Sequence, residues 1–187
     1  MPADCPQTEA IILPGATEAA ARVELLVLDV DGVCTDGKLY MNENGQALKS
    51  FYVHDGIGMK TALKAGLHLA VITGRNDKSV EARMTQLGVL HYYPGYDNKL
   101  PVLMELCAKI GIPPTRAAYL GDDWIDLGPM SAVSLPAAVA NARPEVKAAA
   151  IYVSAAKGGE GAVREFIEFI MRCRNPHQDP ASYWLFE

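Results

Sequence analysis

Short apolar blocks recur along the chain, each closed by a glycine, a proline or a polar residue. The first begins at Val23, reads Val-Glu-Leu-Leu-Val-Leu-Asp-Val and ends in acid; Leu67–Ile72, Val89–Tyr93, Ala117–Leu120 and Ala132–Leu135 follow. Runs this short and this apolar predict strands buried on both faces, as in a parallel sheet. Between them the pattern changes to a helical one, over about 56–65, 76–87 and 98–110. Gly88 and Gly111 stop the second and third helices, and Leu100, Leu103, Leu106, Cys107 and Ile110 share one face of the third. Asp97 is the expected N-cap there, with Pro101 confined to the first turn. Strands alternating with helices predict right-handed βαβ units. The expected fold is α/β, a Rossmann-like, doubly wound and mainly parallel sheet, with ligands bound beyond the carboxyl ends of its strands.

One segment breaks the alternation. Gly37–Met41 and Gln46–Val53 are β-rich runs around Asn42-Glu-Asn-Gly45, which spells a β-hairpin over 37–53, inserted directly after the first strand and above the carboxyl-end face. A lone hairpin is marginal in water, so this one must pack on its own domain or on a neighbouring subunit.

The 187 residues, half of them hydrophobic, suffice for one domain, expected over 22–173, with a loose extension at 1–21 and a tail at 174–187. The tail carries Tyr183, Trp184 and Phe186 beyond Pro176 and Pro180, an aromatic cluster that reads either as a segment docking on a neighbouring subunit or as a frayed terminus. Seventeen basic against 22 acidic side chains give a net charge of −5, and no basic run exceeds a pair, so nucleic acid is not an expected partner. Apolar stretches fall short of the ~18–20 residues of a membrane span, and residues 1–22 lack the pattern of a secretory signal. We therefore expect a cytoplasmic protein without membrane contact. Cys5, Cys34, Cys107 and Cys173 show neither zinc-site nor disulfide spacing.

Candidate chemistry is concentrated at the strand ends. Asp29-Val-Asp31-Gly-Val-Cys-Thr35-Asp36-Gly37 closes the first strand, and carboxylates at i and i+2 of extended chain point the same way. Something cationic must offset them, and oxygen ligands suit a hard ion such as Mg2+. Thr73-Gly74-Arg75 follows the second strand and offers a hydroxyl and backbone N–H groups suited to phosphate. Lys99 follows the third strand, where its ammonium could neutralise a phosphate, and Gly121-Asp122-Asp123-Trp-Ile-Asp126 follows the fourth. Acids, hydroxyl, lysine and acids thus converge on one face of the sheet.

Their order, DxDGVxTDG, TGR, Lys and GDDxxD, resembles the four motifs of the haloacid dehalogenase superfamily over about residues 23–170. The resemblance implies Asp29 as a nucleophile forming an aspartyl-phosphate and Asp31 as general acid and then base. It implies Mg2+ held by the Asp29 side chain, the Asp31 main-chain carbonyl and Asp122. Thr73 and Lys99 would bind the transferring phosphoryl group, and Asp123 and Asp126 would support the metal and Lys99. The hairpin is too small for a full lid, so the chain resembles the minimal-cap group, in which homotetramers close each active site with a neighbouring subunit. YMNENGQALKSFYVHDGIGMK and KGGEGAVREFIEFIM are similar to the sugar-acid phosphatases of that group. The implied substrate is an anionic sugar phosphate, 3-deoxy-D-manno-octulosonate 8-phosphate on the route to lipopolysaccharide, or alternatively a nonulosonate 9-phosphate.

Gly74 and Arg75 are candidates for substrate contact, Arg75 through the sugar carboxylate. Lys49, His54, Asp55 and Lys60 flank the hairpin exit and are candidates for the sugar hydroxyls. His54 and Glu160 stand where arginine is common in similar proteins, and both changes remove positive charge. Gly158–Gly161 reads as a flexible joint before a packing helix or as a ligand loop. A response-regulator receiver also carries acids, a hydroxyl and a lysine, but in another order and without the hairpin. A non-catalytic interaction module is the remaining rival, opposed by the intact set of Asp29, Asp31, Thr73, Lys99 and Asp122.

Overall fold

Leu25, Leu26, Val27 and Leu28 expose no surface, and the rest of the chain is arranged on either side of them. The computed structural model describes residues 9–43 and 47–185. Its elements run β1 (Ile11–Ile12), α1 (Ala16–Ala21), β2 (Leu25–Leu28), β3 (Tyr40–Met41), β4 (Ala47–Leu48), α2 (Val53–Lys64), β5 (His68–Thr73) and α3 (Lys78–Leu87). There follow β6 (His91–Pro94), α4 (Lys99–Ile110), β7 (Ala117–Gly121), α5 (Leu127–Ala132), β8 (Leu135–Ala138), α6 (Pro144–Ala149), β9 (Tyr152–Val153) and α7 (Ala162–Arg174).

The main sheet has the order β1-β9-β8-β7-β2-β5-β6. Only the β1–β9 pair is antiparallel. The chain proceeds from β2 outward to β5 and β6, then returns to the other side of β2 for β7, β8 and β9. That reversal opens a crevice at the carboxyl end between β2 and β7, where ligands of doubly wound sheets bind. Helices α1, α2 and α7 pack together, as do α4, α5 and α6, so the centre of the sheet is covered and β2 there is apolar throughout.

The helices stop where glycine can turn left-handed: Gly88 at φ 81° after α3 and Gly111 at φ 71° after α4. The α3 start is capped by Asp77, whose side chain accepts from Ser79 N at 2.8 Å. Asp97 does not cap α4; the N-cap is Asn98, and Asp97 is left to line the cleft described below.

Two other expectations change. The strand expected at Ala132–Leu135 lies at Leu135–Ala138, because α5 extends to Ala132 and the alanines that follow, small enough for a crowded centre, form the strand. The segment expected as a loose extension joins the fold from Ile11 onward, with β1 paired to β9 and Ala16, Ala19 and Ala20 buried. The tail has contacts within its own chain: Trp184 Nε1 donates to Thr61 Oγ1 at 2.8 Å, and Lys64 Nζ sits 4.0 Å from the centre of the indole ring. The hairpin is present but short, Tyr40 opposite Leu48 and Met41 opposite Ala47, and its Asn44-Gly45 turn lies outside the described residues. Among those residues no helix is long and apolar enough to cross a membrane.

Asp55, in the first turn of α2, is only 3% exposed and accepts from Gly161 N at 3.3 Å and Arg164 N at 2.9 Å, which closes the start of α7. Its carboxylate is thus engaged by the backbone at the start of α7. We expect Asp55→Ala to leave those amides unsatisfied and to cost ~1–3 kcal/mol. The urea midpoint should fall with an unchanged slope, whereas the exposed His54→Ala should move stability by no more than ~0.5 kcal/mol.

Candidate active site

Asp29 is the first residue past β2, Thr73 the last of β5 and Asp122 the first past β7, so three adjacent strands deliver one group each to the same edge. Lys99, at the start of α4, reaches in from behind: its Nζ lies 2.5 Å from Asp29 Oδ1 and 2.7 Å from Asp126 Oδ1. The side chain is 1% exposed. Burial alone would discharge it, but the two carboxylates outweigh that and hold its pKa above the usual lysine range.

Asp126 is a hub. Its Oδ1 also accepts from Tyr119 OH at 2.8 Å, and its Oδ2 accepts from the amides of Asp122 at 2.9 Å and Asp123 at 3.2 Å. One buried carboxylate therefore sets both the lysine and the loop that carries Asp122. Gly121 is required for this, because a Cβ there would meet Asp126 Cβ at 2.5 Å. Asp123 accepts from Trp124 N at 2.7 Å, which shapes the loop.

Negative charge remains in excess. Asp29, Asp122 and Asp126 each bring one carboxylate oxygen within 4.8 Å of the others. Burial, then the Asp126 charge, pushes Asp29 up to about 7 against the pull of Lys99. Burial, then the charges of Asp29 and Asp126, pushes Asp122 up to about 8. Asp122 Oδ1 is buried without a hydrogen-bond partner. Clustered hard oxygens with one orphaned among them fit a small divalent cation. Since Asp126 already accepts four hydrogen bonds, the ligand role falls to Asp29 and Asp122.

These groups open onto a cleft of about 200 Å3, lined also by Asp31, Thr73, Gly74, Arg75, Asp97, Asp123 and Ile125. That is below the ~300–1,000 Å3 usual for a small-molecule site. Gly74 is confined, as a Cβ would meet Asp97 Oδ1 at 2.6 Å, and Arg75 N reaches back to Thr73 Oγ1 at 3.4 Å. Lys49, expected at the sugar hydroxyls, instead buries its side chain against Asp31. His54 is exposed beside Tyr52, with ring centres 4.8 Å apart, and Glu160 is also exposed. Neither lines the cleft, nor does Lys60.

Two contributors, Tyr119 and Asn141, escaped the sequence reading. Tyr119 gave a signal, since a tyrosine in a wholly apolar buried strand needs a partner for its hydroxyl. Asn141 gave none; its Oδ1 accepts from Gly158 N at 2.9 Å. The Gly158–Gly159 pair, read as a joint or a ligand loop, is not free. Gly159 N donates to Val33 O at 2.9 Å, and a Cβ on Gly158 would overlap Gly32 O, so the pair braces the loop after Asp29 backbone to backbone.

A doubly wound sheet with an aspartate pair after its first strand, a threonine, a buried lysine and an acidic loop at the same edge defines a hydrolase of the haloacid dehalogenase type. The family model for haloacid dehalogenase-like hydrolases matches residues 88–167. A 3-deoxy-D-manno-octulosonate 8-phosphate phosphatase of Salmonella typhimurium is 44% identical over 160 residues, 86% of this chain and 85% of the relative. Its Escherichia coli K12 counterpart is 46% identical over 152 residues, 81% of each chain. The crystal structure of the Moraxella catarrhalis phosphatase of that name, in complex with a magnesium ion, a phosphate ion and a KDO molecule, has TM-score 0.84 and 37% identity, covering 86% of this chain and 92% of that one. The cobalt-bound Haemophilus influenzae phosphatase has TM-score 0.81 and 35% identity over 83% and 91% of the two chains. The chain belongs to the 3-deoxy-D-manno-octulosonate 8-phosphate phosphatase family, and is a phosphomonoesterase.

Because Asp29 and Asp122 have raised pKa values, a cation binding there must displace protons as pH falls from about 8 toward about 7. Mg2+ affinity measured by calorimetry should therefore weaken from pH 8.5 to 6, with proton release on binding that grows as the pH falls. An affinity flat across it would place the cation elsewhere.

Proposed function

We propose that the enzyme hydrolyses 3-deoxy-D-manno-octulosonate 8-phosphate to the free sugar acid and phosphate, with Mg2+ and through an aspartyl-phosphate, in lipopolysaccharide biosynthesis. The carrying observation is Lys99 buried between Asp29 and Asp126 beside the orphaned Asp122 oxygen, a site prepared for one cation and one phosphoryl group. The substrate assignment rests on the names of relatives 44% and 46% identical over most of their length.

In this reading Asp29 attacks phosphorus while Asp31 protonates the leaving alcohol oxygen, and Asp31 then takes a proton from the water that cleaves the aspartyl-phosphate. Thr73, the Gly74 amide and Lys99 hold the phosphoryl oxygens. Arg75, at the cleft wall, pairs with the sugar carboxylate. Mg2+, held by Asp29, Asp122 and the Asp31 carbonyl, supplies positive charge that offsets repulsion between carboxylate and phosphate. Asp123 and Asp126 keep the acidic loop and Lys99 in place. The small cleft and the exposed Leu39, Tyr40, Met41 and Leu48 of the hairpin support a homotetramer in which a neighbour closes each site. We place the enzyme in the cytoplasm, where its sugar phosphate would be made.

Phosphate release should be Mg2+-dependent and strongest with 3-deoxy-D-manno-octulosonate 8-phosphate among a panel that includes nonulosonate 9-phosphates and hexose phosphates. A preference for the nine-carbon acids would reassign the substrate, and silence on every ester would favour a non-catalytic module. Asp29→Asn should fold and lose essentially all turnover; activity like the wild type would remove the aspartyl-phosphate. Light scattering should give a tetramer mass, and a fully active monomer would end the shared-site reading.

A further inference from the structure

Lys49 lies at the end of the hairpin, 18 residues after Asp31, and a lysine beside a β-stub would ordinarily extend into water. Its side chain instead has no exposed surface. The ammonium donates to Asp31 Oδ2 at 2.9 Å, sits 2.6 Å from Asp31 Oδ1, and is 3.7 Å from Asp77 Oδ2. Asp77 is itself pinned as the cap of α3, its Oδ1 accepting from both Ser79 N and Ser79 Oγ. One cation from the hairpin thus joins the loop after β2 to the start of α3. Among the described residues Asp31 pairs with no other side chain, and it remains 26% exposed where it lines the cleft, so Lys49 is what selects its rotamer.

We propose that Lys49 is a positioning residue for the general acid: its ammonium, within reach of both Asp31 oxygens, fixes where the carboxyl group stands at the cleft so that it can meet the leaving oxygen. This deepens the reading above and rests on it. In the first step the Asp29 oxygen forms a bond to phosphorus and the bond from phosphorus to the ester oxygen breaks. The electron pair goes to that oxygen, which takes the proton from Asp31. During this transfer the Asp31 oxygen that carries no proton accepts from Lys49, and the ammonium offsets the charge that appears on Asp31. In the second step water attacks phosphorus, the bond to Asp29 breaks, and the proton from water returns to Asp31. Because Lys49 is carried by the hairpin, the same contact makes the orientation of the acid depend on how the hairpin is seated.

A direct sugar contact would show a different signature from a positioning residue, and leaving-group chemistry separates them. An alkyl oxygen needs a proton to depart, whereas p-nitrophenolate leaves without one. General acid catalysis is worth ~10²–10⁴-fold, so Lys49→Met should lower kcat/KM for the sugar phosphate ~100-fold and for p-nitrophenyl phosphate less than ~5-fold. KM for the sugar phosphate should stay within ~3-fold of the wild type, since the lost interaction is made in the transition state. Lys49→Arg, which can still bridge the two carboxylates, should restore most of the alkyl-ester rate. Circular dichroism and the solution mass, matched to those of the wild type, show that fold and assembly survive. Equal losses on both esters, or a KM rise that accounts for the loss, would overturn the proposal in favour of a structural or sugar-binding lysine. An unchanged rate would overturn it too. If the wild type cleaves neither ester, the phosphatase reading itself fails, an outcome distinct from any behaviour of the variants.

Discussion

Three carboxylates and one ammonium packed at the end of a dry sheet set the conditions for everything else in this protein. Each charge removed from water is costly unless partnered, and a partnered set lacking one member costs more than no charges at all. Lys99 offsets Asp29 and Asp126, but Asp122 remains over. The fold accepts that imbalance, and the deficit has the size of a divalent cation. A catalytic centre for phosphoryl transfer needs such a deficit, because the substrate brings more negative charge and the site must attract the ion that neutralises it.

Holding these groups close leaves little room for side chains around them. Gly32, at φ 97°, has no space for a Cβ beside Asp122, and Gly121 has none beside Asp126. The Gly158–Gly159 pair lies against the backbone of residues 32–36. Glycine thus serves two ends in the site: a turn that other residues rarely adopt, and contact between backbones. Asp55 belongs to the same construction from a distance. Its carboxylate closes the start of α7, and α7 follows directly on the glycine loop that braces the loop after Asp29. Burial lifts its pKa to about 6, a measure of how far from water the brace is placed.

The hairpin contributes in a different way. It is too short to cover a substrate, and its outer residues stay exposed. What it brings inward is one lysine, and that lysine meets Asp31, an acid of the site that Lys99 does not touch. Two lysines thus divide the work: one from the scaffold for the buried pair, one from the insertion for the acid nearer the solvent.

Much of this was legible in the residues. Apolar runs ending in Asp29, Thr73 and Gly121-Asp122 are enough to give parallel strands and to place those groups at one edge, because burial on both faces leaves a strand no polar position except its end. The contacts of the tail and of residues 11–21 were not legible, since a few alanines or a single Trp184 reveal them only when their neighbours are known. Asp55 and Lys49 stand out in the sequence, but not the partners they meet, the start of α7 and Asp31. A charged residue near a motif can face the ligand or the interior, and one-dimensional spacing does not distinguish the two. The sequence by itself determined the sheet, the catalytic edge and its chemistry, because periodicity and motif spacing are local. Which charges neutralise one another was settled by the three-dimensional packing, because pairing depends on distances between segments far apart in the chain, such as Asp29 and Lys99, 70 residues apart.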